Sequence, residues 1–514
     1  QHPSASPAKI DPKLEEAVDF EIEHEIEDID AFRSRVLFDI LHRSVSMKQE
    51  QQQWASQAVP PLRNLVSRIH GPLMLLVLIV SGFPNPHGLV KDCVDGFPFV
   101  GMLPPCEGAS VPWNFESSLT VAELRSYRQT INALVNSKLK DLPFSEDIFP
   151  TVLEDVEEGS MSEPAPLKQD DLLRKSFTRR IPVREERSKG WKTRIVDHAT
   201  ESEINSATQP VDKLIFDGIE VLVAVCLRFM ARGLLPRLWK RDISRAFRRV
   251  PVYKQHLDLS WVVWLSQGVT WSAQHLGMPF GTVSAVYAWH RIGYMLWWLV
   301  VVHCKAPAAR FVDDFFGASK HGVVWTAGKC LTVLSHVLGF PTEDGKDADD
   351  LLQMIVLGVE STIDWPRRTI STAIDKIKAH KWLFLLLECL DSGHMTSVAA
   401  LKFAGRLNFA VVACGIRVGR AYIAPFYAQG HAPLFGSSLS TLLELSCLWW
   451  CQYLRVRPLS VHRADGCSRP QVITWSDAAG ASRWIAAVVH VNGTFYWTRM
   501  LTPQAIWDQL IPRD

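Results

Sequence analysis

Three stretches of this chain concentrate groups that could do chemistry. The first is Trp239-Lys240-Arg241-Asp242-Ile243-Ser244-Arg245-Ala246-Phe247-Arg248, where one acid follows an apolar approach and is surrounded by cations. An isolated Asp among arginines is most often a salt-bridge partner. The second is Arg310-Phe311-Val312-Asp313-Asp314-Phe315-Phe316, two adjacent carboxylates between apolar pairs. Burying such charges costs several kcal/mol unless a cation offsets them. Neighbours on a strand point to opposite faces, so only one of the two can share a site with Asp242 unless the pair sits at a hairpin turn. A divalent ion is the natural counter-charge. Mg²⁺ takes hard oxygen ligands, one or two carboxylates plus phosphate oxygens, and two ions ~3.5 to 4 Å apart drive in-line phosphoryl displacement. The third stretch, Leu276-Gly277-Met278-Pro279-Phe280-Gly281-Thr282-Val283-Ser284-Ala285, reads as a Pro/Gly turn entering a helix of small residues. The backbone at Gly281 can approach a nucleotide or a template strand closely.

The elements that must hold these groups belong to a large folded chain. Its 514 residues include 19 Trp and 24 Phe and are 47% hydrophobic, which excludes a disordered chain. Ten cysteines without a C-x-x-C pair point to a reducing, intracellular setting and away from structural zinc. No apolar run reaches the ~18 to 20 residues of a membrane span, so no membrane partner is expected. The chain opens Gln1-His2-Pro3 and stops at Asp514 inside a helix-like pattern, which reads as a fragment at both ends.

The net charge of +1 averages segments of opposite sign. Asp11 to Asp30 holds ten acids and one Lys, and the helical spacing of Leu14, Val18, Ile22, Ile26 and Ile29 within it predicts an amphipathic surface helix or a partner helix. Arg174 to Arg194 holds nine Lys or Arg against two Glu, and Arg232 to Lys254 holds eight against Asp242 alone. Basic stretches in an aromatic-rich region point to a polyanion, a solvated helix face being the plain alternative. Thr120 and Glu123 form a capping box opening a helix to about Lys140. Gly82 to Gly108 reads as loops, and Glu154 to Asp171 as a linker. From Phe177 short apolar runs separated by turns give an α+β signature. Helices are predicted over Ser371 to Leu390 and Thr396 to Cys414, and a strand of a new domain over Val472 to Asp477. The expected segments are 1–65, 66–165, 166–365, 366–456 and 470–514.

In order, the three chemical stretches resemble motifs A, B and C of the reverse-transcriptase palm. Asp242 with Phe247 resembles motif A, Met278-Pro279-Phe280-Gly281 with Ser284-Ala285 motif B, and Phe311-Val312-Asp313-Asp314 motif C. Lys192-Thr193-Arg194-Ile195-Val196-Asp197, with Asn205 after it, is similar to the fingers element ahead of motif A. Gly339-Phe340-Pro341 with Lys346, then Leu357-Gly358-Val359, are similar to motifs D and E. About 190 residues, Arg184 to Asp364, carry the likeness. Gly405-Arg406-Leu407-Asn408-Phe409 resembles the connection of DIRS-like and related eukaryotic retrotransposons. Thr474 to Asp477 followed by Trp484-Ile485-Ala486-Ala487 looks like the start of an RNase H domain.

The resemblance implies an α+β right-hand polymerase of fingers, a palm with an antiparallel sheet packed on helices, and a thumb or connection, followed by the start of an RNase H-like α/β domain. It implies an RNA-directed DNA polymerase acting on a primed RNA or DNA template with dNTPs and two Mg²⁺ ions, Mn²⁺ being a substitute. Asp242 and Asp313 would hold the metals, with Asp314 as the auxiliary acid. Lys192 and Arg194 would bind the triphosphate, Arg as a bidentate fork and Lys as a point charge. Phe247 would be the steric gate against a ribose 2′-hydroxyl, Phe280 and Gly281 would line the nascent base pair, and Lys346 would be the general acid for pyrophosphate. Core packing is the plain reading of Phe247, and a surface lysine that of Lys346. Val286 stands where the family has Pro, Trp289 where it has Phe, and Phe311 where it commonly has Tyr. Of the carboxylates RNase H chemistry needs, only Asp477 is in place, with Asp508 near a second position, so no RNase H activity is expected. Two competing readings are an RNA-dependent RNA polymerase and a non-catalytic nucleic-acid-binding remnant.

Overall fold

In the computed structural model, the described residues are 10–108, 110–187, 190–343, 345–414, 417–433, 436–464, 473–479, 484–491 and 494–501. They are mixed α+β and fall into two compact units, 1–462 and 463–514. At the centre of the first lies an antiparallel sheet of four strands, in the order Ala309–Phe311, Asp314–Lys320, Pro236–Asp242 and Ala348–Leu351. Phe315 and Phe316 are chain neighbours and so point to opposite faces, yet neither touches solvent, so both faces of the sheet are covered. The helices Ile219–Ala231 and Ala327–Leu338 pack against it. Trp239 lies opposite Gly317, where an added Cβ would come within 2.9 Å of the indole, so the glycine makes room for the ring.

A second sheet orders Ala165–Pro166, Val269–Gln274, Trp261–Ser266, Phe177–Arg187 and Gly190–Asp197. Its last two strands form a hairpin in which Val183 lies opposite Arg194 and Glu185 opposite Lys192. A third sheet contains Gln353–Val356, Val359–Asp364 and Thr369–Ile374, and the helices Lys376–Ser392, Ser397–Ala413, Ala424–His431 and Thr441–Val456 follow. In the second unit, Ile473–Ala479, Trp484–Val491 and Thr494–Leu501 pair antiparallel in chain order, with Asp477 opposite Ala486. Asp508 lies outside the described residues.

The acidic start is an amphipathic surface helix as expected, but broken in two at His24 and packed on the rest of its own unit by its apolar side. It forms two helices, Pro12–Glu23 and Ile26–Ser46, whose buried positions include Leu14, Val18 and Ile29. Their acids meet cations and backbone of the first unit. Glu21 pairs with Arg33 at 2.8 Å, both without solvent exposure, and accepts from the Lys320 amide at 2.7 Å. Arg33 donates to the carbonyls of Cys304 and Trp325 at 3.1 and 3.0 Å, and Asp19 holds Arg228 at 2.6 Å.

Local chemistry decides three other differences. Gly82 to Gly108 contains the helix Pro86–Asp95, started by Pro86 and by Asn85, whose side chain accepts from the Gly88 amide. The predicted helix from Ser371 is a strand to Ile374, β-branched in composition, and the helix begins only after Asp375, which caps it through the Lys378 amide. The expected linker supplies the end of the helix Ile148–Glu157 and the edge strand Ala165–Pro166. The Thr120 capping box forms with both hydrogen bonds, although its helix breaks at Tyr127. Among the described residues no single helix is long and apolar enough to cross a membrane. The bent pair Pro60–Ser67 and Gly71–Val80 meets that test only in combination, and Leu73, Met74, Val77 and Leu78 of its second helix are buried.

Candidate active site

Asp242 ends its strand and Asp314 begins the neighbouring one, and the two lie directly opposite each other. Phe311 pairs with Asp314, so Val312 and Asp313 alone make the turn between the strands. This is the hairpin exception that lets both Asp313 and Asp314 adjoin Asp242. The turn is strained: Val312 has φ +55°, unusual for a β-branched residue. Two donors clamp its carbonyl oxygen, Trp289 Nε1 and Arg310 Nη1, each at 2.9 Å. Arg310 is itself buried, and Asp217 accepts from its amide at 2.8 Å. Across the turn, the Ile243 amide donates to the Asp313 carbonyl at 3.4 Å.

The acids are short of compensating charge. Loss of water, then the charges of Asp242 and Asp314, push the Asp313 carboxyl up to about 6. Desolvation and Asp242 raise Asp314 in the same way. Among the described residues a single cation reaches Asp242 itself: Lys346 Nζ lies 2.5 Å from Asp242 Oδ2 and 2.7 Å from Glu343 Oε2. Burial alone would lower its pKa, but the hydrogen bonds to the two acids outweigh that and raise it. The segment carrying Lys346 is stitched alongside the Asp242 strand end, with the Ser244 amide donating to Pro341 O at 2.9 Å and the Glu343 amide to Asp242 O at 2.7 Å. Among the described residues no group of three or more His, Cys, Asp or Glu side chains is gathered to hold a metal ion by protein ligands alone. An acid pair with hard oxygen donors and a carboxyl raised for want of positive charge still fits a Mg²⁺ ion that draws its remaining ligands from phosphate and water.

Five residues after Asp242, Phe247 is buried in the turn Ala246–Arg249 and meets the Phe280 ring edge-on, centroids 4.9 Å apart at 86°. Phe280 is 46% exposed, so this wall opens to solvent. Gly281 has φ +92°, and an added Cβ would stand 2.7 Å from the Asp197 carbonyl, so only glycine fits. Asn205 grips the same turn twice, donating to Gly281 O at 3.0 Å and accepting from the Val283 amide at 2.9 Å. Arg194 is exposed on the hairpin strand that ends at Asp197, and Lys192 stands two positions before it. Asp242, Asp313, Asp314 and Lys346 are thus brought together, as are Phe247, Phe280 and Gly281. Asp477 lies in the second unit.

Sequence reasoning misses several contributors. In the sequence Trp289 is only a departure from a motif, yet its indole holds the turn bearing Asp313. Arg310 is in the sequence only the residue ahead of the paired acids, yet its guanidinium donates to the same carbonyl. A cleft of about 660 Å³ adjoins Asp314 and is lined by Lys240, Phe311, Lys378, Trp382, Arg406 and Phe409. Lys378 and Arg406 come from separate helices, and although Arg406 and Phe409 stand in a stretch singled out above, no local spacing joins them to Lys378 or to Asp314. No protein-family model matches the chain, and no curated protein is similar to it.

Proposed function

We propose that the chain is an RNA-directed DNA polymerase that adds dNTPs to a primer 3′-hydroxyl by two-metal phosphoryl transfer, as part of a retrotransposon. The observation that carries this reading is Asp242 facing Asp314 across two strands, with Asp313 at the clamped turn between them. Asp242 and Asp313 would hold Mg²⁺, with Asp314 beside them. Mg²⁺ held by these residues would lower the pKa of the primer hydroxyl and offset charge on the departing pyrophosphate. The protein's own part is positioning. Arg194 and Lys192 bind the triphosphate, and Phe247, backed by Phe280, fills the space of a ribose 2′-hydroxyl. Lys346, already hydrogen-bonded to Asp242, gives a proton to pyrophosphate. The cleft with Lys378 and Arg406 offers cations and aromatic faces to the nucleic acid next to Asp314.

The test is extension of a DNA primer on an RNA template with Mg²⁺, comparing dNTPs with NTPs. Extension with dNTPs is expected, and Phe247→Ala should admit NTPs. Retained primer–template binding without extension would leave only a nucleic-acid-binding remnant. Preference for NTPs would favour an RNA polymerase.

A further inference from the structure

One buried ionic cluster draws a residue from each of the three segments that line the proposed nucleotide pocket. Asp197 ends the hairpin strand that carries Arg194, and Arg180 of the paired strand holds it bidentately, at 2.8 Å to Oδ1 and 3.1 Å to Oδ2. His275, two residues before the Gly277–Gly281 turn, places Nε2 at 2.9 Å from Asp197 Oδ2. Arg248, the neighbour of Phe247, directs Nη1 to His275 Nδ1 at 2.5 Å and Nη2 to Asp197 Oδ2 at 3.6 Å. Nδ1 meets only the Arg248 donor, so we place the ring proton on Nε2, facing Asp197, with Arg180 Nη2 also 3.0 Å from Nε2. Burial, then the charge of Arg248, pushes His275 down to about 3, so the ring bridges as a neutral group. Exposure of these side chains is 0% for Arg180, 2% for Asp197 and His275, and 7% for Arg248. Backbones close around the cluster as well: a Cβ on Gly277 would lie 2.0 Å from Arg248 O, and one on Gly281 2.7 Å from Asp197 O. Asp155 extends it, holding Arg245 at 2.9 Å beside Arg248 Nε at 3.6 Å.

We infer that Arg180, Asp197, His275 and Arg248 are positioning residues that lock the triphosphate-binding hairpin, the Phe247 wall and the Gly281 turn into one register, and so set deoxynucleotide selectivity. A charge cluster this dry is a poor source of net stability beside well-packed apolar side chains. Its demand for fixed partners does impose geometry, and small displacements at a reacting centre have large kinetic effects. None of the four is hydrogen-bonded to Asp242, Asp313 or Asp314 among the described residues, so the chemical step itself should be spared. The inference rests on the polymerase reading above.

The experiment is steady-state and single-turnover incorporation of one dNTP and its matching NTP by wild type, His275→Phe and His275→Gln. His275→Phe should raise KM for the dNTP roughly tenfold and lower the dNTP-to-NTP preference by a similar factor, with kcat within about threefold. His275→Gln keeps a donor and an acceptor and should restore most of both. Unchanged KM and preference in His275→Phe, whatever its melting temperature, would overturn the inference and leave the polymerase reading standing. A wild type that extends no primer overturns both. Should His275→Phe not fold, Arg248→Lys tests the same coupling by hydrogen exchange. Residues 190–197 and 246–249 should lose protection together, and independent loss or no loss would overturn the coupling.

Discussion

Asp197 and the group of Asp242, Asp313 and Asp314 are treated in opposite ways by this molecule. Asp197 is almost wholly buried, yet the Arg180 guanidinium and the His275 ring offset its desolvation and hold its carboxyl well below the usual range. Asp313 keeps more solvent, yet desolvation and two neighbouring acids push it up to about 6. Burial does not separate these cases; compensation does. Where every charge has its partner, the chain has built a frame. Where like charges are crowded around one lysine, the negative charge is left uncompensated, which is what the proposed metal binding would draw on. The difference separates residues that should carry reaction from residues that should carry geometry.

Substitutions on each side should break that comparison in different ways. The largest effect is expected at the uncompensated acids: Asp242→Asn or Asp313→Asn should cut primer extension by roughly 10³-fold or more with little change in folding, read by single-turnover kinetics and circular dichroism. Next comes the compensated side. Arg180→Ala strands Asp197 in the interior and should cost about 3 to 5 kcal/mol in urea denaturation.

A smaller effect separates the two sides by sign. Because folding raises Asp313 from 3.8 to about 6, the folded state binds that proton more tightly than the unfolded one. In the absence of metal, stability should therefore fall as pH rises from about 4 to about 6 and stay reduced above that. Asp313→Asn should remove this slope and add about 1 to 2 kcal/mol at pH 7, after allowance for the water still reaching the carboxyl. Thermal unfolding in EDTA across that window checks it. Smallest is Trp289→Phe, which removes one of two hydrogen bonds to the Val312 carbonyl and should cost about 1 kcal/mol, with a modest loss of kcat.

The acids are legible in the sequence because their rarity among apolar neighbours is a local signal. Two carboxylates between Phe311 and Phe315 have few structural explanations, and the strand period lets both adjoin Asp242 only if the pair sits at a hairpin turn; that the turn falls at Val312 and Asp313 is seen only in the strand pairing. The α+β class is legible from the short apolar runs after Phe177, and the cap at Thr120 from a four-residue pattern. What escapes depends on distance in the chain. His275 and Asp197 are 78 residues apart, and nothing in either neighbourhood marks them as partners. The strand at Thr369–Ile374 merges with the following helix in the sequence pattern because its boundary rests on one side chain, Asp375. The acidic start reads as a surface helix without showing what it packs on, because its partners, Arg228 and Lys320, lie some 200 and 300 residues downstream. Lys346 is singled out in the sequence only by resemblance, a surface lysine being the plain reading, and it is the backbone stitching of 341–343 to 242–244 that brings it to Asp242.

That the crowded acids await metal and nucleotide is tested most directly by Mg²⁺-dependent single-nucleotide extension of a primer annealed to RNA, in wild type beside Asp313→Asn, with primer–template binding measured on the same samples. Both proteins should bind, only wild type should extend, and EDTA should abolish extension. Equal extension by Asp313→Asn, or binding without extension by wild type at any Mg²⁺ concentration, would contradict it.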